Sequence, residues 1–110
     1  MNTVQFGTTG VQLSEMCLGT MMFGDRCDLA ESDRILARAM EGGVNFVDTA
    51  AMYVKGETEK ILGQILKGRR DKLFVATKVN HHDPAVIRSS IDESLQRMQL
   101  DHVDLYLLHW

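Results

Sequence analysis

What this chain of 110 residues lacks narrows it before anything it contains. There is no basic excess: 12 lysines and arginines face 15 acids, a formal net charge of -3. That removes the electrostatic footprint expected of a nucleic-acid binder or of a protein held on an anionic membrane. No apolar run approaches the roughly 20 residues that span a bilayer. The opening Met1-Asn2-Thr3-Val4 has no charged-then-apolar pattern of a secretory signal. Only two cysteines occur, Cys17 and Cys27, spaced neither as metal ligands nor as a redox pair. Free thiols of this kind suit a reducing cytoplasm. No linker, low-complexity tract or second domain interrupts the chain. What remains is the composition of a cytoplasmic globular protein, 45% hydrophobic and 25% charged.

The residues present fall into alternating patterns. Val4 and Phe6, then the turn Gly7-Thr8-Thr9-Gly10, then Val11 and Leu13 predict a short β-hairpin. Glu15 to Leu18 predicts a first strand of parallel type, with Cys17 buried in it, followed by the flexible run Gly19 to Gly24. Asp28 stands three residues before Glu31, a capping-box-like start to a helix whose apolar face is Ile35, Leu36, Ala39 and Met40, stopped by Gly42-Gly43. Val44 to Val47 predicts a second strand. Glu57 and Glu59 are acids suited to the positive end of a second helix, whose apolar face is Ile61, Leu62, Ile65 and Leu66. Gly68 ends it, with Lys67, Arg69 and Arg70 at the negative end. Leu73 to Val79 predicts a third strand. The single proline, Pro84, follows Asp83 at the one helical position that welcomes it, and Ile87, Ile91, Leu95 and Met98 form that third helix's inner stripe. Val103 to Leu108 predicts a fourth strand. The seven methionines are expected chiefly to fill core space. The His81-His82-Asp83 run is expected to be a solvated loop before the helix cap, since adjacent loop residues make a poor metal set.

Strands alternating with helices call for parallel pairing and right-handed crossovers. The residues at the carboxyl ends of the four strands are Gly19, Asp48, Lys78 and His109, at successive gaps of 29, 30 and 31 residues. A period of one β/α unit fits a barrel or an open α/β sheet, and both keep their active sites at those strand ends. Neighbouring strand ends lie about 5 Å apart, so Asp48, Lys78, His109 and the nearby loop residue Tyr53 can converge. A phenol is a poor acid at neutral pH, and an adjacent ammonium stabilises the phenolate and eases proton donation. An aspartate can hold the ammonium, and a histidine can position a substrate oxygen. These are the parts needed to protonate a carbonyl oxygen as hydride reaches its carbon. Each residue also has a plainer role open to it. Asp48 with Thr49 can cap a turn, Tyr53 can plug a loop, Lys78 can snorkel from a strand end and His109 can sit satisfied and half-buried.

Several stretches go further than spacing does. Asn45-Phe46-Val47-Asp48-Thr49-Ala50-Ala51-Met52-Tyr53 resembles the aldo-keto reductase signature around its catalytic Asp and Tyr. Leu18 to Gly24 is similar to the loop after that family's first barrel strand, Thr77-Lys78-Val79 to its catalytic-lysine strand, and Asp101 to Trp110 to its fourth strand with the active-site His. Gly56 to Gly63 is similar to the start of its second helix. The four motifs fall in order and cover essentially the whole chain.

The resemblance implies the N-terminal half of a TIM (β/α)8 barrel preceded by a short β-hairpin that closes its bottom. Residues 1–110 would form one partial domain of a hairpin, about four strands and three helices. It implies an NADPH-dependent oxidoreductase that reduces aldehydes and ketones. Tyr53 would be the proton donor, Lys78 its partner, Asp48 the lysine's anchor and His109 the group orienting the carbonyl. Gly19, Thr20, Met21 and Asp48 would lie against NADPH or NADP, and Met21 and Trp110 would line the substrate pocket. Met21 stands where many members carry tryptophan. A complete barrel needs roughly 250 residues, so the chain is expected to be a truncated piece, lacking the later strands that grip the cofactor's adenosine. Four strands alone leave two open edges, through which the half-barrel could associate with itself. The partner is then a small carbonyl compound, with neither nucleic acid, membrane nor metal. The same family also includes cofactor-binding regulatory subunits of potassium channels with little turnover, a second reading. A Rossmann-type domain is disfavoured, because no G-x-G-x-x-G follows the first strand and Met21, Met22 and Phe23 stand between Gly19 and Gly24.

Overall fold

A computed structural model describes residues 1–110. Strands β1 (Thr3–Gln5) and β2 (Gln12–Ser14) form an antiparallel hairpin with Val4 opposite Leu13. Strands β3 (Leu18–Gly19), β4 (Phe46–Asp48), β5 (Phe74–Val79) and β6 (Leu105–Leu108) form one parallel sheet, and its spatial order is the order of the chain. Helices α1 (Leu29–Glu41), α2 (Glu57–Ile65) and α3 (Pro84–Met98) cross between successive strands. With no reversal of strand order, right-handed crossovers leave every helix on one side of the sheet. That winding builds a barrel sector and not a doubly wound sheet.

The helix starts follow their caps. Asp28 accepts the Glu31 amide at 2.8 Å and Asp83 accepts the Ala85 amide at 2.9 Å, each satisfying a donor that the first turn leaves free. Helix α2 begins instead from Gly56 in the left-handed region, without a side-chain cap. It ends at Ile65, before Gly68, and Arg69 donates to the Ile65 carbonyl at 2.9 Å as the helix dipole favours.

Strands β3, β4 and β6 start two or more residues later than their apolar runs suggest. Hydrogen bonding from Ser14 to the Met16 carbonyl bends the chain before β3. The Val44 amide still bonds back to Ala39 at the end of α1, so β4 cannot start there. Ahead of β6, the Asp104 carboxylate takes the Val75 amide and the Arg70 guanidinium, each at 2.8 Å, so that a side chain and not a strand carbonyl accepts from Val75, while the Asp104 amide bonds the Val75 carbonyl at 2.9 Å.

Side chains alternate across the sheet. Leu18, Val47 and Val75 face the helices and join Leu36, Leu62, Leu66 and Met98 in the core. Each such burial contributes about 1.5–3 kcal/mol. The α3 stripe reaches it fully only at Met98, since Ile87, Ile91 and Leu95 are half-buried. The opposite, inner face has two levels. At the amino end, Phe6 of the hairpin and Phe46 each pack edge-on against Phe74, with ring centroids 5.4 and 5.2 Å away. At the carboxyl end the same face carries Asp48, Lys78 and His109.

Two expectations need correction, and one residue is more deeply placed than its pattern suggests. Cys17 is exposed and lies outside the strand, because it sits on the open inner face. Met1, Met16, Met21 and Met52 are exposed while Met98 is buried, so most methionines serve surfaces and not the core. Glu59 does stand in the first turn of α2, and it is also fully buried, which the sequence did not indicate. Its carboxylate accepts from Thr77 Oγ1 at 2.8 Å, Ser94 Oγ at 3.2 Å and Arg97 Nε at 2.8 Å, which satisfies a charge withdrawn from water.

Helices α2 and α3 meet at Gly63, where an added Cβ would lie 2.7 Å from the Arg97 carbonyl oxygen and 3.0 Å from Met98 backbone. Backbone cannot yield as a flexible side chain can. Gly63→Ala is expected to destabilise the protein by about 1–3 kcal/mol through overpacking, read from urea or thermal unfolding. An unchanged midpoint would mean that the two helices part freely.

Candidate active site

The parallel register brings the strand-end residues together. Asp48 stands opposite Ala76, two residues before Lys78 and on the same face. The Lys78 ammonium therefore reaches Asp48 Oδ2 at 2.8 Å and also donates to the Thr49 carbonyl at 2.8 Å. The two side chains are 15% and 29% exposed, partly withdrawn from water but open at the mouth. Thr20 is buried, and its hydroxyl donates to the Asp48 carbonyl at 2.9 Å. It steadies the carboxyl end of β4.

Tyr53 opens a tight, non-helical turn, Tyr53–Gly56, in the loop that follows β4. Its hydroxyl lies 3.5 Å from Lys78 Nζ, at the outer limit of a hydrogen bond, and Nζ is 5.2 Å from its ring centre. The backbone beyond it is strained: Val54 and Lys55 have φ of 48° and 53°, in the left-handed region that β-branched valine resists. His109 meets the Tyr53 ring edge-on with centroids 5.7 Å apart, and the Trp110 ring lies 4.2 Å from His109. All four expected catalytic positions, Asp48, Tyr53, Lys78 and His109, thus share one mouth.

Beside that mouth lies an open cleft of about 450 Å³ lined by Met21, Met22, Asp25, Met52, Tyr53, Val54, His109 and Trp110. Met21 and Trp110 were expected there. Met22, Asp25, Met52 and Val54 were not, although the place of Met52 and Val54 on either side of Tyr53 was a usable signal. Asn80 was also missed. Its Oδ1 lies 3.0 Å from His109 Nδ1, and its position two residues past Lys78 puts it on the same face by strand alternation. Gly19 borders the mouth with open space where a side chain would stand. The His81-His82-Asp83 run is an exposed loop, in which His82 Nε2 sits 2.6 Å from the Trp110 carbonyl and Asp83 caps α3.

Comparison with known proteins decides the family. The model described as Aldo/keto reductase family matches residues 15–110. The chain belongs to the aldo/keto reductase family. It is 36% identical to an uncharacterized oxidoreductase, YqkF, of Bacillus subtilis, over 99% of this chain and 39% of that protein. Among solved structures it is similar to the holo form of aldo-keto reductase AKR11C1 from Bacillus halodurans. There the TM-score is 0.86 at 36% identity, over 97% of this chain and 40% of that one. It is also similar to an aldo-keto reductase from Klebsiella pneumoniae solved in complex with NADPH, at a TM-score of 0.81 and 33% identity, over 92% of this chain and 37% of that one. This aldo/keto reductase chain is therefore a partial (β/α)8 barrel, spanning about two fifths of the length of those relatives. No helix in it is long and apolar enough to cross a membrane.

Cys17 reports on the mouth from below. Partial burial of its thiol and the nearby Asp48 carboxylate push its pKa up to about 11, with the Lys78 charge pulling the other way. From 9.0 to about 11, the thiolate fraction at pH 8 falls roughly a hundredfold, while the more basic thiolate is roughly tenfold more nucleophilic. Alkylation of Cys17 by iodoacetamide at pH 8 is therefore expected to run about tenfold slower than for a free thiol, still accelerating towards pH 11. Peptide mapping after timed labelling measures it. A rate equal to that of a model thiol would mean that the carboxylate and the sheet do not act on this sulfur.

Proposed function

We propose that the protein is an NADPH-dependent reductase of aldehydes and ketones, with Tyr53 as proton donor. The observation that carries this reading is the convergence of Asp48, Lys78 and Tyr53 at one strand-end mouth beside an apolar cleft. The residues present suit a nicotinamide ring. Gly19 leaves its side of the mouth open, Met21 is exposed next to it and the Asp48 carboxylate is accessible in part. Gly19, Met21 and Asp48 would hold that end of the cofactor. When bound, the cofactor supplies hydride to the carbonyl carbon.

The protein's own groups do the rest. The Tyr53 hydroxyl transfers its proton to the carbonyl oxygen as negative charge builds there, and the phenolate left behind faces the Lys78 ammonium. Asp48 and the Thr49 carbonyl keep that ammonium in place and charged. His109, its Nδ1 against Asn80, orients the carbonyl oxygen towards Tyr53. Met21, Met52 and Trp110 pack the apolar body of the substrate and exclude water. Charge placed before the reaction needs no reorganisation during it, which is the source of most electrostatic catalysis.

The test follows NADPH oxidation at 340 nm with a reactive aromatic aldehyde, in the unaltered chain and in Tyr53→Phe. Loss of the proton donor is expected to lower turnover by about 10²–10⁴-fold. Turnover that survives unchanged in Tyr53→Phe would remove the proposed proton donor and the mechanism with it.

A further inference from the structure

The carboxylate of Glu59 is fully buried on the helix side of the sheet, away from the mouth, and no step above uses it. Its three donors come from two elements: Thr77 on β5, adjacent to Lys78, and Ser94 and Arg97 on α3. A buried ion pair is no cheap device for stability, since an apolar pair of the same volume commonly serves as well. Something other than cohesion is therefore worth seeking in its geometry.

Arg97 has a second face. Its stem lies against Gly56, where an added Cβ would come 3.2 Å from Arg97 Cδ and 3.5 Å from Nε. Gly56 is buried, has φ +93°, and closes the three-residue left-handed run Val54-Lys55-Gly56 that begins immediately after Tyr53. The Glu57 amide bonds back to the carbonyls of Tyr53 and Val54, so the run is one tight turn with Tyr53 at its head. Strained backbone persists only where its surroundings over-determine it. The side chain pressed against this turn is that of Arg97, and what fixes it is chiefly Glu59, which accepts from Nε at 2.8 Å, with Ser94 Oγ accepting from Nη2 at the longer 3.3 Å.

We infer that Arg97, fixed by Glu59, is a positioning residue that holds the turn after Tyr53 and so keeps the phenol aimed at Lys78 and His109. The catalytic meaning of this rests on the reading of Tyr53 as proton donor; the positioning itself does not. The same carboxylate grips Thr77, so the strand that carries Lys78 and the turn that carries Tyr53 are referenced to one buried point.

The experiment compares four variants of the full chain. Arg97→Ala removes the brace, and Glu59→Gln with Arg97→Ala removes it while leaving no buried charge, which protects the test if the single variant fails to fold. Ser94→Ala removes another donor to the same carboxylate, together with the long 3.3 Å bond that Ser94 Oγ accepts from Arg97 Nη2. It leaves the Arg97–Glu59 bond and Gly56 in place, so it tests whether Glu59 is what fixes the brace. Arg97→Lys restores a charged stem. The readout is the proton NMR contact between the Tyr53 and His109 rings, with the core methyl signals of Leu36, Val47 and Val75 as a check of the fold. The contact is expected to vanish in Arg97→Ala and in the double variant, and to persist in Ser94→Ala and Arg97→Lys. In the aldehyde assay, the brace-less variants are expected to lose roughly 10²-fold in kcat, as for a misplacement of about 1 Å, with KM nearly unchanged. Persistence of the ring contact in the double variant would overturn the inference, and so would its equal loss in Ser94→Ala. Failure of the reductase reading is seen separately, as turnover indifferent to Tyr53→Phe, and leaves the ring contact to be judged alone.

Discussion

An ammonium that is 15% exposed needs partners, and the Lys78 charge finds them only because two strands run parallel in one register. Asp48 lies opposite Ala76, so its carboxylate and the Lys78 stem rise from the same face. A slip of one residue in either strand would turn one of them towards the helices. Neighbouring features follow from keeping that register. Thr20 bonds the Asp48 carbonyl, the Thr49 amide bonds the Ala76 carbonyl, and the Ala51 amide bonds the Lys78 carbonyl. The site is thus an outgrowth of the ladder beneath it.

Strand β5 divides two kinds of charge between its faces. Lys78 points to the open mouth and pairs with Asp48, while Thr77 points to the helices and bonds Glu59. The first pair remains in touch with solvent at the mouth. The second is sealed, as a fixed reference requires. The inner face is graded along its length as well, with Phe6, Phe46 and Phe74 packed at the amino end and charge gathered at the carboxyl end.

Much of this was readable from the residues alone, where the physics is local. The caps at Asp28 and Asp83, the proline at position 84 and the roughly 30-residue spacing of Asp48, Lys78 and His109 each rest on short-range rules, and the structure follows them. Strand starts were less legible, since Val44 and Asp104 are governed by hydrogen bonds to Ala39, Val75 and Arg70 that no pattern in the strand itself reveals. The burial of Glu59 was illegible for a related reason. An acid in the first turn of a helix looks the same in sequence whether it faces water or a half-buried arginine 38 residues away. Cys17 and the methionines were assigned to the core from hydrophobicity alone, which cannot tell a covered sheet face from an open one.

The second tether of the Lys78 ammonium is the carbonyl of Thr49, an atom that every amino acid possesses. Half of what holds the charge is therefore written in the path of the chain and not in any side chain. Drift in residue identity at position 49 leaves that tether standing. One residue inserted or removed between Asp48 and Tyr53 would take it away, together with the reach of the phenol. What selection has to guard in this loop is its length.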